Sequence, residues 1–504
     1  MSDFTQSKTI NILSGAGMAL LVPGAMALVS IPIPLIFNEK GSLAGLVITA
    51  LLCLGIGAAS YKVYDKDSEM PLTKLMVMIS LGWMLVALAV SIPFVQHGIH
   101  YGQLSDSPPD VTRFSDFTNA LFESVSGITS TGLSMVQQES TLTRTLQWWR
   151  SLSQWVGAIG FVVLVAFFHN PDSNTIGKQF EHDTLTRAVA APGINFYKFW
   201  WIYLLLTVLA ISIYLFNGLS LWQAVNHGLT GIATGGFTVT DDSFTDYPAK
   251  VRLATIAIMV LGSLSFYLYY LLLRHGRFRR FFTDRQNIVY ASLMLVGIMA
   301  IGSLNQNAGI SWLDSSFQFT SALGTAGFQS NKLDQWPMFS MLVLTIVMLI
   351  GGTSNSTTGG IKIFRFWFML KGLFFELGKL MFSPESTTIS KHDQNNTENE
   401  KLHQDARVTV YLFILGWVVV YVVFTLIFAY LLADEYTLQQ ILFESASAFG
   451  NVGLSSGITG PDMLPIAKVL MIVLMYLGRL ELLPLLVLTG WLSGSGTSAN
   501  TKIP

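Results

Sequence analysis

At 504 residues, with 51% hydrophobic and only 12% charged side chains, the chain is far more apolar than a soluble domain, in which about a quarter of residues are charged. Its net charge of −1 excludes the basic field of a nucleic-acid binder, and its single cysteine, Cys53, excludes an internal disulfide or a cysteine-based metal cluster. Length therefore counts membrane spans rather than soluble domains.

The first apolar run, residues 10–37, follows one lysine, Lys8, and is too long for a signal-peptide core, so it reads as a retained span. Further runs long enough to cross a bilayer lie at 43–61, 72–95, 146–168, 196–216, 251–273, 286–304, 338–370, 408–433 and 465–491. Four shorter stretches, 114–134, 220–238, 314–329 and 438–455, lie between pairs of these, look half helical and end in glycine. They are too short to span. Irregular backbone at membrane depth survives only inside protein or beside a water-filled cavity, so four such stretches imply a cavity.

Lysine and arginine set the orientation. Arg274, Arg277, Arg279, Arg280 and Arg285 follow the sixth run, and Lys362, Arg365, Lys371, Lys379, Lys391, Lys401 and Arg407 follow the break in the eighth. Both groups, with Lys62, Lys66 and Lys74, are expected in the cytoplasm. The loops beside the short stretches carry mainly acids, Asp106, Asp110, Asp241, Asp242, Asp246, Asp434 and Glu435, so the short stretches enter from outside. The polar stretch 383–405 has no apolar periodicity and reads as a mobile cytoplasmic linker.

The short stretches repeat one another. Residues 121–133 read LFESVSGITSTGL and residues 442–454 read LFESASAFGNVGL, while HGLTGIATGGF ends at Gly236-Phe237 and FTSALGTAGF at Gly327-Phe328. Gly132, Gly236, Gly327 and Gly453 thus stand roughly 100 residues apart, the length of two spans and a re-entrant loop, which indicates one module used four times. A backbone that turns successive carbonyls toward a common axis alternates left- and right-handed conformations, and glycine accepts the positive φ at little cost. Four such strands would make a ring of carbonyl oxygens, the kind that replaces the hydration shell of a monovalent cation. The C-terminal end of each half-helix, with its partial negative charge, would favour a cation in the cavity. Glu123, Glu444 and the pair Asn226-His227 fit hydrogen bonding within the half-helices better than a catalytic cluster.

Two features lie outside the repeat. Gly351, Gly352, Thr353, Ser354, Asn355, Ser356, Thr357, Thr358, Gly359 and Gly360 interrupt the eighth run, and a stretch with four glycines and no apolar side chain cannot remain a lipid-facing helix. It lacks the Lys-Ser/Thr ending of a phosphate-binding loop. Gly478-Arg479-Leu480-Glu481 places two charges within the last run; residues two apart on a helix do not face each other, so each charge needs its own partner.

Through these segments, residues 72–491 resemble the Trk/Ktr/HKT superfamily of potassium transporters, most closely its bacterial Trk-type transmembrane subunit, which also has two additional N-terminal spans. The resemblance implies an all-α polytopic membrane protein of the cell inner membrane, with four pseudo-symmetric helix, pore-loop, helix repeats around one pore. The corresponding division is 1–70 for the two N-terminal helices and 71–190, 191–284, 285–406 and 407–504 for the repeats. Carried over by position, the filter strands are Thr129, Ser130, Thr131 and Gly132; Ala233, Thr234, Gly235 and Gly236; Gly324, Thr325, Ala326 and Gly327; and Gly450, Asn451, Val452 and Gly453. Ala326 and Val452 stand where the first repeat has Thr131, a change that ligation by backbone carbonyls tolerates. The resemblance further implies that residues 351–360 gate the pore beneath the filter with Arg479 nearby, that the protein is a homodimer, and that a cytoplasmic nucleotide-binding ring regulates it; the chain itself has no dinucleotide fingerprint. K⁺ is then cargo, with no cofactor and no enzymatic activity. The alternative is a secondary transporter for a small solute coupled to Na⁺ or H⁺, which predicts inverted repeats and few broken helices.

Overall fold

The computed structural model describes residues 2–65, 71–104, 108–168, 196–333, 336–381, 394–480 and 482–492. Among these the fold is all-helical. Thr9–Ile36, Lys40–Val63, Thr73–Gly102, Phe199–Phe216, Arg285–Gln306 and Val408–Leu432 are long and apolar enough to cross a membrane. The first two pack against each other and along the third, beside the first repeat.

Four times the chain runs from a long helix into a twelve-residue helix, then an extended segment, then a further apolar helix. The short helices are Phe117–Ile128, Leu221–Ile232, Trp312–Leu323 and Leu438–Phe449. Each begins at a residue whose side chain accepts from the first turn: Asp116 from Thr118 N (2.8 Å), Ser220 from Gln223 N (3.3 Å), Ser311 from Asp314 N (3.0 Å) and Thr437 from Gln440 N (3.4 Å). Such caps contribute about 1 kcal/mol each and fix where a short helix starts. The buried faces are filled by large side chains, among them Phe122, Phe317 and Phe443.

Four of the ten apolar runs are not continuous helices among the described residues; the first is Ser2–Met18, Leu21–Ser30 and Pro32–Ile36. The sixth is Ala249–Ser263 followed by Phe266–His275, bent by 92°. The eighth is Met338–Met348, the polar loop, and Ile363–Met381. The tenth turns between Pro465–Leu480 and Leu482–Leu492, and Glu481, which had been expected to need its own partner, lies outside the described residues. Nothing local in Leu264-Ser265 announces the sixth break, because neither residue is a helix breaker. Its cause is tertiary: the Ser263 carbonyl accepts from Thr353 N (3.1 Å), and Phe266 N donates to the Asn355 carbonyl (3.0 Å), so the polar loop takes over the backbone groups that a straight helix would pair internally.

The expected linker is also corrected. Residues 394–405 are helical, forming the start of Gln394–Leu432, while 382–393 lie outside the described residues. Once an apolar span has nucleated a helix, adding each further turn costs little, and Glu, Gln, Lys and Leu in this stretch are helix formers.

Candidate functional site: a ring of four backbone strands and a polar loop

After each short helix the next residues leave the helical path in the same way. The backbone N–H groups of Thr131, Gly235, Ala326 and Val452 each donate to the carbonyl five residues earlier, at 2.9, 2.9, 2.8 and 2.9 Å. One residue on either side of them has positive φ: Ser130 (54°) and Gly132 (98°), Thr234 (48°) and Gly236 (85°), Thr325 (45°) and Gly327 (75°), Asn451 (51°) and Gly453 (94°). The three consecutive residues thus alternate in hand, a conformation that ordinary L residues resist.

The four segments close on one another. A Cβ on Gly132 would collide with the Gly235 carbonyl oxygen, one on Gly327 with that of Val452, and one on Gly453 with that of Thr131; on Gly236 it would stand 2.9 Å from the Ala326 oxygen. Each glycine therefore faces the third residue of the next segment, in the order first, second, third, fourth and back to first. Absence of a Cβ is what permits this approach.

Side chains hold the ring from outside. Nine residues before each glycine stand Glu123, His227, Gln318 and Glu444, all fully buried, and all but Gln318 hydrogen-bond to the chain beyond the glycine. Glu123 accepts from Met135 N (2.8 Å) and Ser134 Oγ (2.9 Å), and Glu444 from Ser456 N (2.7 Å) and Ser455 Oγ (2.8 Å). His227 Nε2 accepts from Val239 N (3.3 Å), the same twelve-residue step. Glu123 also pairs with Arg150 at 2.7 Å, and Arg150 donates on to the Thr238 carbonyl (3.1 Å) with its guanidinium 4.2 Å from the Phe237 ring centroid. Gln154, one helical turn further, donates to the Gly235 carbonyl (2.5 Å) and accepts from Phe237 N (3.0 Å). Asn451 Nδ2 donates to Thr131 Oγ1 (2.9 Å) and to the Met475 carbonyl (2.9 Å).

Arg150, Gln154, His227 and Gln318 were not among the residues expected at this site. Counting back nine residues from each repeated glycine finds the latter two, and an arginine and glutamine four apart within a span mark one polar helix face that finds the former two.

The polar loop lies against the helix-facing end of the ring. Gly359 N donates to Thr325 Oγ1 (2.9 Å), Thr234 Oγ1 donates to Thr357 Oγ1 (3.2 Å), and Gly359 abuts the Gly450 carbonyl. Thr357 Oγ1 in turn bonds to the Ile232 and Gly262 carbonyls at 2.9 and 3.0 Å. The ends of the loop are tied together by Gly351 N to the Ile361 carbonyl (2.9 Å) and Ile361 N to the Leu349 carbonyl (3.0 Å). Arg479 donates to the Thr357 carbonyl (3.2 Å) and to the carbonyls of Gly157 (3.1 Å) and Ala158 (2.6 Å), so its partners are backbone dipoles of two other segments.

A bundle of apolar helices long enough to cross a membrane, closed around four irregular backbone segments, defines a polytopic membrane protein. Residues 96–295 and 287–499 match the TrkH family model, described as a cation transport protein, and the chain belongs to that family. It is 30% identical over 438 residues to the Trk system potassium uptake protein TrkI of Halomonas elongata, covering 82% of each chain. A cation transporter of Methanocaldococcus jannaschii is 28% identical over 486 residues, with 96% of each chain covered, and the Trk system potassium uptake protein TrkH of Escherichia coli is 26% identical over 490 residues, with 93% of this chain and 94% of that protein covered. The crystal structure of the potassium transporter TrkH from Vibrio parahaemolyticus superposes with a TM-score of 0.76 over 96% of this chain and 98% of that one, at 23% identity, and shares the fold.

Proposed function

We propose that this chain takes up K⁺ across the bacterial inner membrane, passing the ion through the carbonyl ring of the four segments ending at Gly132, Gly236, Gly327 and Gly453. The observation that carries this reading is the closure of the ring, each glycine against the next segment's third carbonyl. Carbonyl oxygens held at a fixed approach substitute for hydration water, and the inward ends of four short helices add negative potential. The potassium uptake named for the relatives agrees with a monovalent cation as cargo. No acidic side chain is in any of the four segments, which disfavours a divalent ion.

Residues 351–360 act in this reading as the gate, with Arg479 as its latch. Five hydroxyl side chains and four glycines let the loop exchange its hydrogen bonds at small cost. A homodimer and a cytoplasmic nucleotide-binding ring as regulator complete the proposal; nucleotide sensing is assigned to a partner because the chain has no fingerprint for it.

Radiotracer uptake into proteoliposomes tests the reading. K⁺ is expected to enter faster than Na⁺, without any added solute. Entry of neither ion unless a small solute is supplied would make the protein a coupled secondary transporter.

A further inference from the structure

The arginine-rich end of the molecule holds a cavity of about 520 Å³ that the conduction pathway does not use. Its walls come from the short segment Phe278–Thr283, the start of Arg285–Gln306, and the first turns of Ile363–Met381. Three cations line it, Arg280, Arg285 and Lys371, against one carboxylate, Asp284. Asp284 Oδ1 is already engaged in capping its own helix, accepting from Gln286 N (3.0 Å) and Asn287 N (3.4 Å). Among the described residues none of the three cations makes an ion pair.

The helix that carries Lys371 also lines the cavity with aromatic rings. Phe364 and Phe368 stack at 5.9 Å, and Trp367 beside them is 40% exposed. Phe282 and Phe374, on the neighbouring outer surface, are 70% and 68% exposed. A cationic mouth that opens onto exposed aromatic surface matches an amphiphile, with an anionic head and a hydrocarbon tail; basic pockets between helices on the cytoplasmic side of a membrane bind such head groups, and tryptophan favours that depth.

We infer that this cavity binds the phosphate head group of an anionic phospholipid and that occupancy holds the polar loop in place. Its regulatory half rests on the proposed gate. Gln286, in the cavity wall, accepts from Ser354 N of the loop through Oε1 (2.8 Å). The helix bearing Phe364, Trp367 and Lys371 starts directly after the loop, where Ile363 N donates to the Gly352 carbonyl (3.1 Å). A phosphate drawn between Arg285 and Lys371 thus clamps two elements that each hold one part of the loop.

Native mass spectrometry of the purified full chain, with phosphatidylglycerol and phosphatidylcholine offered in parallel and inorganic phosphate as competitor, tests the binding. Phosphatidylglycerol should be retained preferentially, with about fivefold weaker retention for each of Arg280→Ala, Arg285→Ala and Lys371→Ala, and near-normal retention in Arg285→Lys and in Arg274→Ala outside the cavity. Equal retention of both lipids, or retention unchanged in Arg285→Ala/Lys371→Ala, overturns the site. Displacement by inorganic phosphate at equal concentration would make it a free-phosphate site and overturns the lipid assignment. K⁺ flux in proteoliposomes tests the coupling: the wild type should be slower in vesicles containing phosphatidylglycerol, and Arg285→Ala/Lys371→Ala should lose that dependence. A variant as lipid-sensitive as the wild type overturns the coupling. Absence of K⁺ flux in vesicles of every composition would refute the conduction proposal and leave the binding result standing.

Discussion

Placing a methyl group on each ring glycine in turn is the sharpest test of the conduction pathway, because the four positions are not equally crowded. At Gly453, φ is 94° and the added Cβ collides with the Thr131 carbonyl oxygen; Gly132 and Gly327 are in the same condition toward Gly235 and Val452. At Gly236 the contact to the Ala326 oxygen is 2.9 Å, so a smaller displacement relieves it. Positive φ costs an alanine about 1–2 kcal/mol, and overpacking in a close-packed interior adds about 1–3 kcal/mol. The cheapest relief is rotation of the opposing carbonyl, which removes a ligand from the ion while the protein still folds. With about 1.4 kcal/mol for each factor of ten, losing roughly 1–3 kcal/mol of preference for K⁺ lowers the K⁺/Na⁺ permeability ratio by about fivefold to a hundredfold. Gly132→Ala, Gly327→Ala and Gly453→Ala should therefore lose selectivity strongly, and Gly236→Ala least. Reversal-potential measurements on reconstituted protein, with expression matched, give the ratio directly. If all four variants keep the wild-type ratio, or if Gly236→Ala is the worst, the ring does not select the ion.

Deleting residues 353–358, or substituting Arg479→Ala, should raise K⁺ flux with little change in selectivity, since a guanidinium about 4 Å from the ion at an effective dielectric near 20 opposes it by about 4 kcal/mol; reduced flux in both variants at normal expression would leave the loop a structural feature. Glu123→Ala removes the 2.7 Å partner of the buried Arg150 and leaves it only the 4.0 Å approach of Glu139, so it should cost up to about 3 kcal/mol, read as a fall in thermal midpoint, and a double variant Glu123→Ala/Arg150→Met should recover much of it. Burial pushes the Glu139 carboxyl up to about 7, Arg150 partly opposing the rise. A raised carboxyl favours the folded state at low pH, so its contribution is complete below the ordinary value of 4.5 and lost as pH rises through about 7. Glu139→Gln should flatten the wild-type decline in melting temperature across that window; an unchanged slope would show that Glu139 does not titrate there. After replacing Cys53, a cysteine at Arg279 should resist an impermeant thiol reagent in intact cells, and rapid labelling would invert the assigned orientation.

Membrane class, the four short helices and the glycine that ends each extended segment are legible in the order of residues alone, because apolar length, capping residues and the need for positive φ are local properties. The same order marks residues 351–360 as non-helical, since glycine and hydroxyl side chains there cannot face lipid. Tertiary structure alone decided the break at Leu264-Ser265, where the polar loop takes the Ser263 carbonyl and gives the Asn355 carbonyl in return. It likewise decided the partners of Arg479, three backbone carbonyls drawn from segments over a hundred residues away, which no spacing rule along its own helix can supply. Closure of the ring belongs to the same category: each glycine's need for space is written locally, but the carbonyl that fills it comes from another repeat, brought there by packing of the helices on either side.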